Sequence, residues 1–154
     1  KYSNFYNNLM SLSRNKTLFF YCEIEDNFSS RLILFLLHFV FFLSRFKEKD
    51  NRNFMQDTYD FIFRQIDISL RETGDGDVSV NKKMKNFINT FHAIILDLEK
   101  WNHISPEDKT KKLQKYLICN DKYGLLASYF DRYLIYLRNN NLNFFTESVN
   151  KHKF

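Results

Sequence analysis

A length of 154 residues indicates a single domain, able to bury roughly two-thirds of the surface that its unfolded chain exposes. Eighteen Phe and nine Tyr, against three Gly and one Pro, favour long helices around an aromatic core and argue against a turn-rich β protein. The net charge of +5 allows contact with anionic membranes or nucleic acid but does not by itself establish either partner.

Two short helices are predicted at the start of the chain. Phe5, Leu9 and Leu12 repeat at helical spacing within residues 1–14. The segment TLFFYCEI that follows fits a helix or a strand, and a helix is favoured because the chain offers no partner strand. No signal sequence is visible, but the chain starts at Lys1 instead of Met, so the earlier removal of a leader stays open.

The strongest apolar run is residues 32–43, in which a single histidine is polar. Twelve helical residues span roughly 18 Å, which is short of the roughly 30 Å hydrocarbon core of a bilayer. The run therefore predicts a buried central helix over about residues 30–46, capped by Ser29 or Ser30. One stripe of this helix carries three basic residues that are seven apart, Arg31, His38 and Arg45.

Residues 53–72 predict an amphipathic helix with charged residues on its solvent face. Asp60–Arg64 and Asp67–Arg71 are spaced i, i+4 on that face, which indicates surface ion pairs and not a catalytic carboxylate pair. A second apolar line runs beside them and away from the core face. Either another helix packs on this line or it is an exposed hydrophobic strip; its members are Phe54, Phe61 and Ile68.

Gly74 is predicted to supply the left-handed residue that ends this helix. Asp77 or Ser79 is then expected to cap a long helix over about residues 79–101. The loop alternates oxygen-bearing side chains like the start of an EF-hand calcium loop, but Val80 and Asn86 stand where that loop needs glycine and glutamate. Calcium binding is therefore not predicted.

The segment SPED at residues 105–108 predicts a further helix start, with Ser105 as the cap and a proline in the first turn. A last helix is predicted over about residues 122–138. Together these elements predict an all-α fold, a single bundle of about six helices around the central helix. Residues 1–138 are expected to form the helical domain and residues 139–154 a polar, frayed tail.

Catalytic and metal-binding chemistry receives little support from the sequence. The four histidines never lie three or four residues apart, so no helix face offers a pair of metal ligands. Cys22 and Cys119 lack CxxC spacing and predict two buried thiols in a reduced compartment. His38 lies within the apolar run, which predicts a hydrogen-bonded core histidine and not a metal ligand. We predict no catalytic residue, no metal and no cofactor.

Three groups of residues nevertheless resemble the ubiquinol–cytochrome c reductase assembly chaperone family. The chain carries the H-x6-R pattern of the family's central helix, its RE-x-G-x-GD loop and its V-x-KKMK helix start, and LSR at 12–14 and LLASYF at 125–130 fit its outer segments. The resemblance covers roughly residues 9 to 137, although HAIILDLEKWN departs from the family pattern. The matching positions are Arg31, His38, Arg45, Arg71, Glu72, Gly74, Gly76, Asp77, Val80, Lys82, Lys83, Met84 and Lys85.

The resemblance implies an all-helical, non-enzymatic chaperone that binds newly made cytochrome b during assembly of respiratory complex III. The compact chain is more similar to a bacterial member, which implies a cytoplasmic location peripheral to the inner membrane; a eukaryotic member would act on the matrix side. The lysines are compatible with peripheral contact of the protein with the membrane or the ribosome. The resemblance implies neither DNA nor a small-molecule substrate as a partner. Our hypothesis for the client-binding residues is Phe54, Phe61, Ile68, Lys82, Lys83 and Lys85.

Two other functions stay open at this point. A basic and aromatic RNA-binding module would use the lysines with the interleaved Tyr and Phe, and it requires those lysines to cluster on one surface. A haem-binding helical domain would use His38, and it requires that imidazole to face an open pocket.

Overall fold

Eight α-helices and two short 3-10 helices form the part of the chain that the computed structural model describes, which is residues 2–152 and Phe154, without the side chain of Lys49. The prediction of an all-α bundle is confirmed, with more helices than the six or so expected. The 3-10 helices are Lys49–Asn51 and Trp101–His103. The α-helices are α1 Tyr2–Ser13, α2 Lys16–Tyr21, α3 Phe28–Phe46, α4 Arg52–Glu72, α5 Asp77–Leu98, α6 Pro106–Gln114, α7 Tyr123–Arg138 and α8 Leu142–Thr146.

Helix α3 is the centre of the bundle, as the apolar run predicts. Helices α1, α5 and α7 pack around it, and its residues from Leu34 to Phe42 are buried. Pairs of aromatic rings connect α3 to each of these helices. Such rings bury a large apolar area and pack well when they are offset or edge-on. The ring centroids of Phe39 and Phe91 lie 5.6 Å apart, and those of Phe41 and Phe130 lie 5.0 Å apart.

Within the described residues, α3 is the one helix that is long and apolar enough to cross a membrane. Length and composition are weak criteria, because the core helix of a helical bundle meets them as well. Three other helices cover α3 here, which agrees with a core position.

The caps of two helices differ from their predicted positions. The predicted caps of α3, Ser29 and Ser30, lie inside the helix, because Asn27 is extended and its side chain accepts the N–H of Ser30 at 2.8 Å. Helix α5 begins at Asp77 after Gly76, so neither Asp77 nor Ser79 is its N-cap. The cap at Ser105 is as predicted, with its Oγ accepting the N–H of Asp108 at 3.1 Å.

The C-terminal segment differs from the frayed tail predicted for residues 139–154. Helix α8 forms there and packs on α1. The ring of Phe145 is buried between Phe42 and Phe46, 5.8 Å from each ring centroid. The segment is polar in composition, yet it contributes one aromatic side chain to the core.

Candidate protein-binding surface

The family-like residues of α4 and α5 gather at the end of the bundle where α3 begins. We call this region the motif end and define it as residues 14–31, 66–85 and 116–125. Helix α4 runs antiparallel to α3, so that Ile66 and Ser69 line the same cleft as Phe28 and Leu32. Helix α5 returns along α4, since the ring of Phe63 contacts those of Phe87 and Phe91. The turn between α4 and α5 is thereby placed beside the start of α3.

The turn at residues 71–77 is held by ion pairs, one within the turn and two to the adjoining helices. Gly74 has φ of +90°, a left-handed conformation that favours glycine, as predicted. Arg71 Nε lies 2.7 Å from an Asp67 oxygen, and Arg71 Nη1 contacts the carboxylate of Asp77. Asp75 accepts a hydrogen bond of 2.6 Å from Lys83 Nζ. The arginine thus ties the end of α4 to the start of α5.

These contacts shift the pKa of the charged groups in the direction expected for ion pairs. The hydrogen bond from Lys83 lowers the pKa of the Asp75 carboxyl, and the hydrogen bond to Asp67 raises the pKa of the Arg71 guanidinium further. The carboxylate of Asp75 is thus held by a lysine, which differs from the open oxygen shell that a calcium loop requires.

The remaining residues of the family-like turn and helix start divide into core and surface. Val80 is fully buried, and Met84 is half-buried against the core. The side chains of Glu72, Lys82 and Lys85 are exposed, and within the described residues neither of these lysines makes an ion pair. Of the three lysines predicted to bind a client, Lys82 and Lys85 are therefore available, whereas Lys83 is engaged by Asp75.

The second apolar line of α4 is mostly covered, which resolves the choice left open by the sequence. Helix α1 packs on it: the ring of Phe54 lies 5.7 Å from that of Tyr2, and the ring of Phe61 lies 6.0 Å from it. Phe54 is buried and Phe61 half-buried, so the client-binding hypothesis is not compatible with the position of Phe54. Ile68 is 41% exposed and is the member of the line that solvent reaches most freely.

A small apolar cleft lies between α1, α3 and α4 at the motif end. Its volume is about 100 Å³, well below the 300–1,000 Å³ that is typical of small-molecule sites. Arg14 and Arg31 stand at its polar rim, and Arg31 forms a two-pronged pair with Asp26 at 2.7 and 3.2 Å. Its apolar lining includes Tyr6, Met10, Phe28, Leu32, Phe35 and Ile66. A cleft of this size fits one apolar side chain of another protein.

Most of the exposed large apolar side chains lie at this same end. Exposure reaches 78% for Phe20, 60% for Phe28 and 87% for Val78. The exposure of Phe20 and Phe28 was not predicted from the sequence. For Phe20 the available signal was the run LFFY in the short helix α2, because one helix face cannot bury four consecutive residues. The exposed apolar side chains of the motif end are Phe20, Tyr21, Phe28, Ile68, Val78, Ile118 and Leu125. Such a concentration is typical of a surface that binds another protein.

His38 is a core residue, as predicted, and both of its ring nitrogens are occupied. The imidazole is fully buried, with Nδ1 2.6 Å from the carbonyl oxygen of Leu34 and Nε2 2.7 Å from the hydroxyl of Tyr129. A carbonyl oxygen only accepts, so Nδ1 carries the proton and Nε2 accepts from Tyr129. Burial lowers the pKa of His38 to about 3. No nitrogen is left to ligate haem, which argues against the haem-binding alternative.

The other two members of the basic stripe of α3 lie nearer the surface. Arg31 forms the pair with Asp26 described above, and the guanidinium carbon of Arg45 lies 4.8 Å from the ring centroid of Phe46. Arg45 Nη1 is 3.9 Å from Glu48. The stripe therefore serves the start, the centre and the end of α3 separately, and it is not one binding site.

The thiols and carboxylates offer no evident reactive group. Cys22 and Cys119 are buried and free, as predicted, and burial raises the pKa of Cys119 to about 12. A thiol with so high a pKa stays protonated and is a poor nucleophile. Among the described residues, no three His, Cys, Asp or Glu side chains are grouped as a metal site.

The lysines of α6 and of its C-cap, Lys115, do not form a free basic patch. Lys109 Nζ lies 2.9 Å from an Asp131 oxygen, and Lys115 Nζ lies 3.0 Å from an Asp97 oxygen. Lys112 shares the carboxylate of Asp97 at 3.7 Å. This distribution weighs against the RNA-binding alternative, which requires clustered lysines free to neutralise phosphates.

Comparison with known proteins gives one family match. The model of the family described as Ubiquinol-cytochrome C chaperone matches residues 20–134, which include α3, α4, the turn, α5, α6 and most of α7. No curated protein and no solved structure matches the chain. The matched region contains most of the motif end, whereas α1 and α8 lie outside it.

Proposed function

The chain belongs to the ubiquinol-cytochrome C chaperone family, and from this we propose that it is a non-enzymatic assembly chaperone whose client is newly made cytochrome b. The family places the protein in the assembly of respiratory complex III. The identity of the client and the absence of catalysis are parts of the proposal.

The observation that carries the proposal is the concentration of exposed apolar side chains at the motif end. A membrane protein that has just been made presents apolar segments to water, and apolar surface on a chaperone lowers the cost of that exposure. Phe20, Phe28 and Val78 offer such surface at the end of the bundle that bears the charged turn.

The exposed lysines Lys82 and Lys85 support a position near the membrane where the client is inserted. A well-placed basic residue contributes about 1 kcal/mol to binding at an anionic leaflet. We propose a cytoplasmic location peripheral to the inner membrane in a bacterium, or the matrix side in a eukaryote. Acidic residues are interspersed at this end, so the lysines would assist binding and not dominate it.

Photo-crosslinking in the native cell tests the client and the surface together. A photoreactive amino acid at Phe28, Val78 or Lys82 should label cytochrome b, because these side chains are exposed at the motif end. The matched control is Ile135, which is 50% exposed on α7. Its neighbour Tyr136 contacts Phe145, which packs on Phe46 at the opposite end of α3. Equal labelling from Ile135, or labelling of bulk protein from every position, would refute the proposed surface.

Loss of the gene provides the independent test of function. Cytochrome b and quinol–cytochrome c reductase activity should fall while the cytochrome b transcript persists, because the defect would follow translation. Normal levels of cytochrome b in the deletion strain would exclude it as the client.

A further inference from the structure

Four residues near the C-terminus lie across α1 and α7, and we call Ser148, Asn150, His152 and Phe154 the C-terminal strap. Asn8 of α1 holds its backbone: Asn8 Nδ2 donates to the carbonyl oxygen of Ser148 at 3.0 Å, and Asn8 Oδ1 accepts the N–H of Asn150 at 2.8 Å. His152 Nε2 donates to the carbonyl oxygen of Asn8 at 3.2 Å, since that oxygen can only accept.

The ring of Phe154 rests on three tyrosines of α7. Its centroid lies 4.9 Å from that of Tyr136 in a stacked arrangement, and 5.2 and 5.4 Å from those of Tyr129 and Tyr133. Ring contacts at these distances favour an aromatic side chain over an aliphatic one of similar size. We call this position the aromatic seat.

The aromatic seat adjoins a groove between α2 and α7, since Tyr129 and Phe154 both line that groove. The groove has a volume of about 250 Å³, and Phe154 forms one wall of it. Leu18, Tyr21 and Leu125 are other parts of its lining, and the latter two are exposed members of the motif end. A segment lying in this groove would therefore reach from the candidate protein-binding surface to the aromatic seat.

Some polar atoms of the strap and of the surface beneath it are buried without a hydrogen bond. Three buried polar atoms at its interface have no hydrogen-bond partner among the residues that the structure describes: Asn150 Nδ2, His152 Nδ1 and the hydroxyl of Tyr136. A buried polar group without a partner disfavours the state that buries it. The part of the chain that matches the family ends at residue 134, so the strap lies outside the shared region.

We propose that the groove between α2 and α7, together with the adjoining aromatic seat, is a peptide-binding site, and that Phe154 of the strap occupies the seat until a bound segment displaces it. The occupant is an extended polypeptide segment with an aromatic residue, because the strap itself places an aromatic ring on Tyr136 and pairs its backbone carbonyl and N–H groups with Asn8. The inference rests on the proposed function in one respect, which is that the client supplies this segment.

A peptide that copies the strap provides the probe. A fluorescein-labelled peptide with the sequence of residues 147–154 is titrated into the full-length protein and into its Phe154→Ala variant. Removing the competing ring should tighten peptide binding about tenfold. Val149→Ala is the matched control, because Val149 is 64% exposed within the same segment, and it should bind the peptide as wild type does.

Two further measurements separate the aromatic seat from other contacts. A peptide in which the residue equivalent to Phe154 is alanine should bind the Phe154→Ala protein about tenfold more weakly. Hydrogen exchange at the amide of Asn150 should accelerate in the Phe154→Ala protein, since the strap then leaves Asn8 more often. His152→Ala, which removes a different strap contact, should accelerate the same amide.

Equal peptide affinity for wild type and Phe154→Ala, or equal affinity for the peptides with and without the ring, would overturn the inference. The result is independent of the client. If the peptide binds as expected but cytochrome b is not labelled from the motif end, the proposed function fails and the peptide-binding groove stands. If labelling succeeds but the peptide does not bind, only the groove is refuted.

Discussion

One part of the destabilisation expected on acidification comes from a fully buried imidazole, that of His38. The ring is fully buried, Nδ1 donates to Leu34 and Nε2 accepts from Tyr129, so an added proton would create a buried charge. Burial lowers the pKa of His38 from 6.5 to about 3 in the folded protein. The unfolded chain therefore takes up a proton that the folded protein refuses.

The sign and size of the effect follow from these two values. The stabilising contribution is complete above pH 6.5 and is lost as the pH falls from 6.5 towards 3, because only the unfolded state is protonated in that window. Each pH unit in the window lowers the free energy of unfolding by about 1.4 kcal/mol. Between pH 7 and pH 5 the loss attributable to His38 should be about 2 kcal/mol.

Urea unfolding followed by circular dichroism at pH 7 and pH 5 measures this loss. The comparison is between wild type and His38→Gln, since the carboxylates and the other histidines contribute equally to both. His92→Gln is the matched control, because His92 is exposed on α5. We expect the decrease in wild type and His92→Gln to exceed that in His38→Gln by about 2 kcal/mol. An equal decrease in all three proteins would refute the assignment of a buried, neutral His38.

Three further predictions concern the α7 contact, the turn and a cap. Tyr129→Phe leaves His38 Nε2 buried without its donor and should lower the free energy of unfolding by about 1–3 kcal/mol in urea. The control is Tyr59→Phe, at a half-buried tyrosine whose hydroxyl makes no hydrogen bond to the described residues. At Gly74 an added Cβ would meet open space, but φ is +90°. Backbone strain alone should therefore lower the free energy of unfolding of Gly74→Ala by about 1–2 kcal/mol, measured by thermal unfolding. Gly124→Ala is the control, because Gly124 does not have a positive φ and should lack this loss. Ser105→Ala removes the acceptor of the Asp108 N–H and should cost about 1 kcal/mol by urea unfolding, while Ser105→Asp, which restores a cap, should recover most of it.

Local patterns in the sequence were sufficient to predict most of the helices and part of the candidate site. The apolar run predicted α3 as a buried core helix, and Gly74 and Ser105 marked a helix end and a helix start, because these signals act over one or two turns. The family-like turn was also visible in the sequence. The ion pairs of the turn were not visible there: they engage Lys83 and, within the described part of the chain, do not include Lys82.

The amino-acid sequence by itself determined which faces of the helices are apolar and where most helices begin and end. Only the tertiary structure decided which neighbour covers each face: α1 covers Phe54 and Phe61, Tyr129 meets His38, Phe145 enters the core, and Phe20 and Phe28 stay exposed. The physical reason is that the spacing of apolar residues shows which face a helix must bury. Which other helix covers that face depends on packing between residues that are distant in the chain.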